Sequence, residues 1–587
     1  MNDAQGYYRA PTDPRNMATG LTIGAFGYSD QAFVQQTDDG TWLCLLTAGH
    51  AFEGAPGQTV VSMRSFDDGK TWHDIRQLEP TDGVESSYGV MLKAGGRIYA
   101  FYNHNTDNVR SVPADKGGVF PDGICRRVDS LGYFVFRYTD DGGLTWSENR
   151  YPIPVRAFEI DKNNASNGDI RYFWNVGKPF FIGSTAYVSL HKVGGFGEGF
   201  FTSSEGVLLA CENILTETDA QKLVWQTLPD GEIGIRAPEG AGPIGEEQSY
   251  VVLSDDTIYC IFRTVAGHPA CSRSFDGGHT FTPSRFLRYG NERVVKHPRA
   301  ANFVWKCSNG RFLYWYHNHG GCGYDDRNPV WLCAGVEIDT PEGKDIAWSQ
   351  GEIALYHPDY LCVRMSYPDL IEKDGEYYIT ETQKSIARLH RLDKTMLERM
   401  WASVAGQLLP TVDGGVPVSA GDVLELKPIV TRDQRAPDHR SMDTGNGFTL
   451  AFHVDALTPG KVLFSTYTTE EKGLETHVND EKQIEFRMGD GRTVCSWASD
   501  VGALDEKGGH VVIIVDGGPR TICFVVNGVL CDGGETRQFG FGRYNPYFHS
   551  AYSPKGVAID AAVSNLTYYP RALKTFEAEQ RWLEGNA

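Results

Sequence analysis

Ser65-Phe-Asp-Asp-Gly-Lys-Thr-Trp72, Thr139-Asp-Asp-Gly-Gly-Leu-Thr-Trp146 and Ser274-Phe-Asp-Gly-Gly-His-Thr-Phe281 repeat one pattern along the chain. In each segment an Asp can accept hydrogen bonds from the amides of its own turn, and the Gly two residues later permits a positive φ. The Thr and the aromatic residue that follow are expected to pack the turn against a neighbouring strand. One turn used three times predicts a repeated β architecture, and we interpret the turns as structural rather than catalytic.

A second repeat consists of a strand, a turn marked by Gly or Asp, and another strand, which is typical of a β-hairpin. Six such hairpins occur, and with outer strands added they predict six blades of four strands each, a six-bladed β-propeller over residues 1–405. The hairpins cover residues 31–49, 87–103, 177–190, 249–262, 301–316 and 367–380. The long segments 104–130 and 191–205 are expected to be loops over one face.

The pattern changes near residue 391. Leu392, Met396, Leu397 and Met400 fall at helical spacing and predict a short helix, after which residues 410–587 alternate as β-strands. The ending Val-Ser-Asn-Leu-Thr-Tyr-Tyr-Pro-Arg-Ala-Leu at 563–573 resembles the last strand of the concanavalin A-like/laminin G fold. That resemblance implies a lectin-like β-sandwich (jelly roll), so the whole chain is predicted to be all-β.

Polar residues stand where the hairpins begin and end. Both places lie on one face of a propeller, so these side chains are expected to converge around its axis. Four of the six second strands end at His, which we interpret as a functional pocket rather than a solvated rim. The positions before the first strands are Asp30, Gln31, Glu85, Asn175, Glu246, Glu247, Arg299 and Tyr367. Those after the second strands are His50, Glu53, His104, Asp107, His191, Arg263, His317, His319 and Glu381.

Two of these stretches, together with the repeated turns, resemble the sialidase-like (Asp-box, or BNR-repeat) propeller superfamily. The stretch Gly-Glu-Glu-Gln-Ser-Tyr from residue 245 to the Arg at 263 resembles the segment holding that family's base, which implies Glu247 as the base and Arg263 as a carboxylate-binding arginine. Arg-Met-Ser-Tyr-Pro-Asp-Leu at 364–370 resembles the segment with its tyrosine nucleophile, which implies Tyr367. A phenol with a reference pKa of about 10 needs such a partner to take its proton.

The chain departs from the family pattern in two places. The family's opening Arg-Ile-Pro is replaced by Tyr28-Ser29-Asp30-Gln31, so the first clamp arginine is absent. The family's acid, an Asp before the first repeated turn, has no match in residues 50–65, where His50 or Glu53 would have to serve. We therefore expect a substrate other than ordinary sialic acid.

The leading hypothesis is an exo-acting glycoside hydrolase that removes a terminal sugar from a glycan without a cofactor. Tyr367 or a carboxylate is then the nucleophile and Glu247 the base, and His50, His104 or Glu53 is the acid. The expected substrate-binding residues are Arg263, Arg299, Asp30, Gln31, His191, His317, His319 and Glu381.

Three alternatives stay open. A uronate lyase would use His104 and Tyr367 as base and acid, with Arg263 and Arg299 neutralising the carboxylate. A metal-dependent amino-sugar deacetylase would hold a divalent cation with His104 and Asp107, aided by His50 or His317. A glycan-binding protein without catalysis would use the C-terminal sandwich.

Composition narrows the class of partner. The formal net charge is −20 and the pI near 5.3, which argues against nucleic acid or an anionic membrane as a partner. No apolar run reaches the roughly 18 residues of a membrane span, and the first residues do not read as a secretion signal. The twelve Cys are scattered without metal-ligand spacing, so buried thiols in a cytoplasmic protein are expected, with no prediction of oligomeric state.

Overall fold

The computed structural model describes residues 13–79, 83–127, 129–358, 364–407, 409–432, 441–443, 446–546 and 548–586. Regular structure in these ranges is overwhelmingly β, as the sequence predicts. Among the residues described, no helix has the length and apolar character needed to cross a membrane.

Six antiparallel sheets follow one another along the first 391 residues, and each is built outward from one of the predicted hairpins. Their strands are as follows. The first sheet has Tyr28–Gln36, Trp42–Gly49, Thr59–Ser65 and His73–Gln77, and the second has Ser86–Ala94, Arg97–His104, Tyr133–Thr139 and Tyr151–Pro152. The third has Tyr172–Trp174, Phe180–Ile182, Thr185–Val193, Ser204–Cys211 and Trp225–Leu228, and the fourth has Glu246–Val252, Ile258–Arg263, Ala270–Ser274 and Arg285–Phe286. The fifth has Phe303–Lys306, Phe312–Tyr316, Val330–Thr340, Gly343–Trp348 and Glu352–Leu355, and the sixth has Leu370–Lys373, Glu376–Thr382, Ala387–Arg391 and Leu21–Gly24.

The sixth sheet joins the two ends of this region. Its outermost strand, Leu21–Gly24, comes from the start of the chain and pairs antiparallel with Ala387–Arg391, with Leu21 opposite Leu389. A strand borrowed in this way covers an edge that would otherwise expose unpaired backbone groups. Six sheets closed by such a pairing are consistent with the β-propeller that the hairpins predict.

The three repeated turns link the third and fourth strands of the first, second and fourth sheets. In the first, the Ser65 hydroxyl accepts a 2.8 Å hydrogen bond from the Gly69 amide, and Asp67 accepts 2.8 and 2.7 Å bonds from the amide and hydroxyl of Thr71. The other two turns repeat these bonds around Asp141 and Asp276. The hydrogen bonds from Thr71 lower the pKa of Asp67 to about 2.

The two long insertions pack against each other. The first contains the short pair Val112–Pro113 and Ile124–Cys125, and the second forms the hairpin Phe196–Gly197 and Phe200–Phe201. Phe120 contacts Phe196 and Phe200, with ring centroids 6.2 and 6.4 Å apart. We call residues 196–201 the wall hairpin, because its tip contacts residues of the site described below.

The C-terminal region has two main sheets. A seven-stranded sheet contains Val416–Pro417, Phe448–Val454, Gly509–Asp516, Thr521–Val526, Val529–Leu530, Gly542–Arg543 and Val563–Tyr569, and a five-stranded sheet contains Val462–Ser465, Lys472–Val478, Ile484–Asp490, Val494–Ala498 and Ala558–Ile559. A small pair joins Val430–Arg432 to Ser441–Asp443. Alternate residues such as Val511 and Ile513 share one hydrophobic cluster with Phe486 of the other sheet. A shared core between two sheets is what the predicted sandwich requires.

The second face of the seven-stranded sheet is buried too. Val512 and Ile514 belong to a cluster with Tyr314 and Trp331 of the fifth sheet, which explains why Gly509–Asp516 reads as a nearly unbroken apolar run. The predicted helix spans Lys394–Val404. Asp393 is its N-cap, and the Asp393 side chain accepts a hydrogen bond from the Met396 amide. A last helix spans Thr575–Asn586, and a single-turn helix spans Glu159–Lys162.

Candidate active site

Four residues of the candidate site share one unusual backbone conformation. Gln31, Tyr88, Glu247 and Tyr367 have φ values of 56°, 60°, 57° and 47°, in the left-handed region that non-glycine residues seldom adopt. At the first three, the strand register shifts by a bulge at the start of the sheet's innermost strand. Bulges re-aim side chains, and strained backbone of this kind concentrates at functional sites.

Tyr367 and Glu247 meet in a buried pair. The Tyr367 hydroxyl donates a 2.9 Å hydrogen bond to Oε1 of Glu247, and both side chains are nearly inaccessible to solvent. Burial, reinforced by the Glu247 charge, raises the pKa of Tyr367 well above its ordinary value. Burial also raises the pKa of Glu247, against the effect of Arg263. The two residues that the sequence resemblance implies as nucleophile and base are therefore in direct hydrogen-bond contact.

Arg263 is shared between neighbouring carboxylates. Its Nε donates a 2.8 Å bond to Glu246, and its Nη1 lies 2.8 Å from Oε1 of Glu247, off the line of a hydrogen bond. Glu246 forms a second ion pair with Arg299. Although burial opposes ionisation, the two arginines lower the pKa of Glu246 to about 2. Glu246 therefore stays ionised and fixes both guanidinium groups.

Arg299 also binds the wall hairpin. Its Nη1 donates a 2.7 Å bond to the Gly199 carbonyl, which also accepts a 3.0 Å bond from the Tyr324 hydroxyl. The Arg299 guanidinium lies 4.7 Å from the centroid of the Tyr324 ring. In this structure the predicted substrate-binding Arg299 contacts protein groups on two sides, a position suited to holding the hairpin tip against the site.

Lys384 organises the opposite side of the site. Its Nζ lies 2.7 Å from Asp30, 3.2 Å from Glu53 and 4.3 Å from the centre of the Tyr367 ring. Asp30 also accepts a 2.8 Å bond from the Tyr28 hydroxyl. Burial raises the pKa of Asp30, whereas Lys384 and Arg127 outweigh burial at Glu53 and lower its pKa to about 2.

The outer edge of the site is formed by Arg127. This side chain pairs with Asp129 and lies 3.3 Å from Glu53, and its guanidinium is 4.3 Å from the Phe200 ring of the wall hairpin. Tyr88 also donates to Asp129 and stacks on Trp174. Glu53, Lys384 and Arg127 keep about a fifth of their side-chain surface exposed, so the site is open to solvent at this edge.

Several buried polar atoms around the axis lack a hydrogen-bond partner among the described residues. They include both acceptors and donors, which is unusual because native structures pair nearly all such groups. The acceptors are Asp30 Oδ1, Gln31 Oε1 and Glu247 Oε2, and the donors are Asn175 Nδ2 and Arg263 Nη1. Unused hydrogen-bonding capacity in one place is the pattern expected where a polar ligand binds.

Two of the predicted histidines lie beside this cluster. His191 is buried near Glu246 and Arg263, and burial lowers its pKa to about 3. His317 stacks on His297 with ring centroids 5.9 Å apart, its Nδ1 lies 3.3 Å from the Pro329 carbonyl, and burial lowers its pKa far below the ordinary value. Both rings are therefore neutral at physiological pH and add no charge to the site.

The remaining predicted residues have other surroundings. His319 stacks on Phe539 and hydrogen-bonds the Asp326 carbonyl, at the junction with the C-terminal region. Glu381 lies 3.4 Å from His390 within the sixth sheet, and His50 is exposed. None of these three contacts Tyr367 or Glu247 in the hydrogen bonds and ion pairs of the described residues.

His104 and Asp107, the proposed metal ligands, have separate partners. Nδ1 of His104 bonds Thr106 and its Nε2 lies 3.9 Å from Glu79, whereas Asp107 interacts with Tyr133. Burial lowers the pKa of His104 to about 4. Within the described ranges, no group of three or more His, Cys, Asp or Glu side chains is arranged to hold a metal ion.

Sequence reasoning missed four charged residues of the site. Lys384 stands two residues beyond the end of Glu376–Thr382, so extending the search past each strand end would have found it. Arg127 and Asp129 lie in the first insertion, and Arg327 lies in the loop before Val330–Thr340. Arg327 donates to the Ser366 hydroxyl at 2.5 Å and to the Tyr324 carbonyl at 2.9 Å. No strand-end rule reaches these loop residues.

Comparison with known proteins gives similarity of structure only. No protein-family model and no curated protein matches the sequence. The intramolecular trans-sialidase of Ruminococcus gnavus, solved with oseltamivir carboxylate, is similar over 64% of this chain and 97% of that chain, at 14% identity and a TM-score of 0.44. The Trypanosoma rangeli sialidase, solved with sialic acid, is similar over 97% and 96%, at 12% identity and 0.40. A Dyadobacter fermentans protein of unknown function is similar over 64% and 97%, at 15% identity and 0.43.

Proposed function

We propose that this protein is a glycoside hydrolase that removes a terminal sugar from a glycan, with Tyr367 as nucleophile and Glu247 as its base. The observation that carries the proposal is the buried 2.9 Å hydrogen bond from the Tyr367 hydroxyl to Glu247. What sets this pair apart from the buried Tyr102–Glu79 pair is that it lies within the group of unpartnered polar atoms.

In the first step, the Tyr367 oxygen forms a bond to the anomeric carbon as the glycosidic bond breaks. The phenol proton passes to Glu247, and the leaving oxygen takes a proton from Glu53. Burial raises the pKa of the phenol, so it stays protonated at rest and needs the contacting base. Proton transfer neutralises Glu247 while negative charge develops on the phenol oxygen, and Lys384, 4.3 Å from the centre of the Tyr367 ring, stabilises that developing charge. Arg263, 2.8 Å from Glu247, holds the carboxyl in place. Water then attacks the anomeric carbon of the glycosyl-tyrosine as the bond from that carbon to the phenol oxygen breaks. The proton of the water passes to Glu53, and Glu247 returns its proton to the phenolate.

We assign the proton for the leaving group to Glu53. Glu53 has partial exposure at the outer edge and lies 3.2 Å from Lys384, which lies over the Tyr367 ring. Lys384 and Arg127 keep Glu53 ionised in the free protein. A sugar that separates Glu53 from Lys384 removes part of that stabilisation and raises the pKa of the carboxyl, so Glu53 becomes able to carry the proton once substrate is bound.

Covalent trapping tests the proposal. An activated 2-deoxy-2-fluoro glycoside is expected to add one glycosyl unit to the full-length protein, and peptide mass spectrometry should place it on Tyr367. Tyr367→Phe should form no adduct, whereas Tyr324→Phe, which changes the neighbouring tyrosine, should still form it. An adduct on Glu247 or Glu53 would overturn the assignment of the nucleophile. Formation of an unsaturated, ultraviolet-absorbing product would show that the reaction is an elimination and not a hydrolysis.

A further inference from the structure

Acidic and basic side chains are equal in number at the site. Among the described residues it contains four arginines and one lysine, and five carboxyl groups. The cations are Arg127, Arg263, Arg299, Arg327 and Lys384, and the carboxylates are Asp30, Glu53, Asp129, Glu246 and Glu247. Every carboxylate has a cation within ion-pair distance: Lys384 for Asp30 and Glu53, Arg127 for Asp129, and Arg263 for Glu246 and Glu247. The histidines beside the site are neutral, so they do not alter this balance.

An acidic ligand would disturb that balance. Arg327 is the one cation of the five without an ion pair among the described residues, and it is already hydrogen-bonded to Ser366 and to the Tyr324 carbonyl. A ligand carboxylate would also enter beside Asp30 and Glu247, two buried carboxylates whose pKa values are already raised by burial. Burying a further negative charge there is unfavourable unless an additional cation accompanies it.

The unpartnered atoms call for a ligand that both donates and accepts hydrogen bonds. Asp30 Oδ1, Gln31 Oε1 and Glu247 Oε2 are acceptors, whereas Asn175 Nδ2, Arg263 Nη1 and Arg299 Nε are donors. A carboxylate group only accepts, so it cannot pair with any of the three acceptors. A sugar hydroxyl both donates and accepts, so a ring bearing hydroxyls can satisfy both kinds of atom.

We propose that the site takes an uncharged terminal sugar, recognised through hydroxyl groups that donate to Asp30 and Gln31. That the sugar is a terminal one rests on the proposed glycosidase function. The choice of a neutral ring over an acidic ring follows from the charges of the site and from its unpartnered acceptors. Asp30 stands where the sialidase resemblance would place an arginine, so an acceptor replaces a cation at that point of the site.

Matched sugar pairs test this inference. Calorimetric titration of the full-length Tyr367→Phe variant would compare D-glucose with D-glucuronate, D-galactose with D-galacturonate, and both pairs with N-acetylneuraminate. We expect at least one neutral sugar to bind about tenfold or more tighter than its uronate. Tighter binding of a uronate or of N-acetylneuraminate would overturn the inference. Failure of both neutral sugars to bind at millimolar concentration would also count against it.

A charge change provides an independent check. Asp30→Asn removes one negative charge, so the uronate should gain affinity relative to its neutral partner by about tenfold. Asp276→Asn makes the same charge change in an outer turn and should leave the ratio unchanged. If trapping fails to label Tyr367 while the neutral preference persists, the proposed chemistry is wrong and the substrate class stands. If Tyr367 is labelled but acidic sugars bind better, the proposed chemistry stands and the inferred substrate class is wrong.

Discussion

The ammonium of Lys384 lies 4.3 Å from the centre of the Tyr367 ring, although its ion pairs are with Asp30 and Glu53. A cation over an aromatic face stabilises the electron-rich ring, and more so as negative charge develops on its oxygen. This contact links the two halves of the site, because among the described residues no hydrogen bond or ion pair joins Tyr367 or Glu247 to Asp30 or Glu53. Lys384 therefore couples Tyr367, the proposed nucleophile, to Glu53, the proposed acid.

Glu247→Gln should lower kcat by about 10²–10⁴-fold with little loss of stability. The Gln carbonyl can still accept the Tyr367 hydroxyl bond but cannot take its proton. Glu79→Gln is a matched control, since Glu79 accepts a 2.5 Å bond from the Tyr102 hydroxyl beside Arg137 and Arg150, away from the axis. Steady-state kinetics and thermal unfolding of both variants decide the matter. Equal kinetic losses in the two would mean that Glu247 is structural.

Glu53 should make the protein sensitive to acid. Its folded pKa of about 2 lies below the ordinary value of 4.5 because Lys384 and Arg127 outweigh burial. A depressed pKa stabilises the fold above about pH 4.5, and that stabilisation is lost as pH falls toward 2. When the pH falls from 7 to 3, the free energy of unfolding should therefore decrease in both proteins, but by about 2 kcal/mol less in Glu53→Gln than in the native protein. Denaturant titrations at both pH values measure this, with Glu239→Gln as an exposed control; identical slopes with pH would contradict it.

Arg299→Ala should loosen the wall hairpin. The variant loses the bond to the Gly199 carbonyl and the ion pair with Glu246. Hydrogen exchange of residues 196–201 should speed up by about tenfold, and KM should rise more than kcat falls, because the hairpin borders the site without taking part in the proton transfer. Arg299→Lys keeps the charge beside Glu246 but not the forked geometry of the guanidinium. Relative to Arg299→Ala, it should therefore restore the stability of the protein more than it restores the protection of the wall hairpin from hydrogen exchange. Unchanged exchange in both variants would show that the hairpin is held by its aromatic contacts.

The repeated turns should affect stability and not catalysis. Asp276→Ala removes two acceptors of 2.9 and 2.6 Å bonds from Thr280, which is expected to cost about 1 kcal/mol. Asp276→Asn keeps one carbonyl oxygen for the Thr280 amide and should cost less. Thermal unfolding and kcat measured together separate the two effects. A fall in kcat without a fall in melting temperature would assign these turns a role that their position in the outer strands does not suggest.

The sequence predicted what depends on local pattern. The turn at Asp67 and its two copies, and the six hairpins, are fixed by residues adjacent in the chain, so the sheets followed from periodicity and turn chemistry. Tyr367, Glu247 and Arg263 were found because they stand at strand ends. The rule that singled out His104 and Glu381 assumed that every strand end faces the axis, whereas bulges re-aim some side chains and leave others within their own sheet. Lys384 and Arg327 reach the site through loops, whose course depends on tertiary packing.

The junction of the two regions should weaken as pH rises. Glu352 is buried at the end of the fifth sheet and accepts a 2.9 Å bond from the Phe576 amide at the start of the last helix. Burial raises its pKa to about 7, against the effect of Lys574. A raised carboxyl pKa means that the fold is most stable below about pH 4.5 and loses stability as the pH climbs through 7.

Glu352→Gln keeps the bond to the Phe576 amide and avoids the buried charge. Its stability relative to the native protein should therefore increase by about 2 kcal/mol between pH 5 and pH 8, as measured by denaturant unfolding. Glu577→Gln in the same helix is the matched control: Arg571 outweighs burial and lowers the pKa of Glu577, so that variant should be destabilised by a similar amount at both pH values. A constant difference for Glu352→Gln would mean that Lys574 keeps Glu352 ionised throughout, and that the two regions are held together independently of pH.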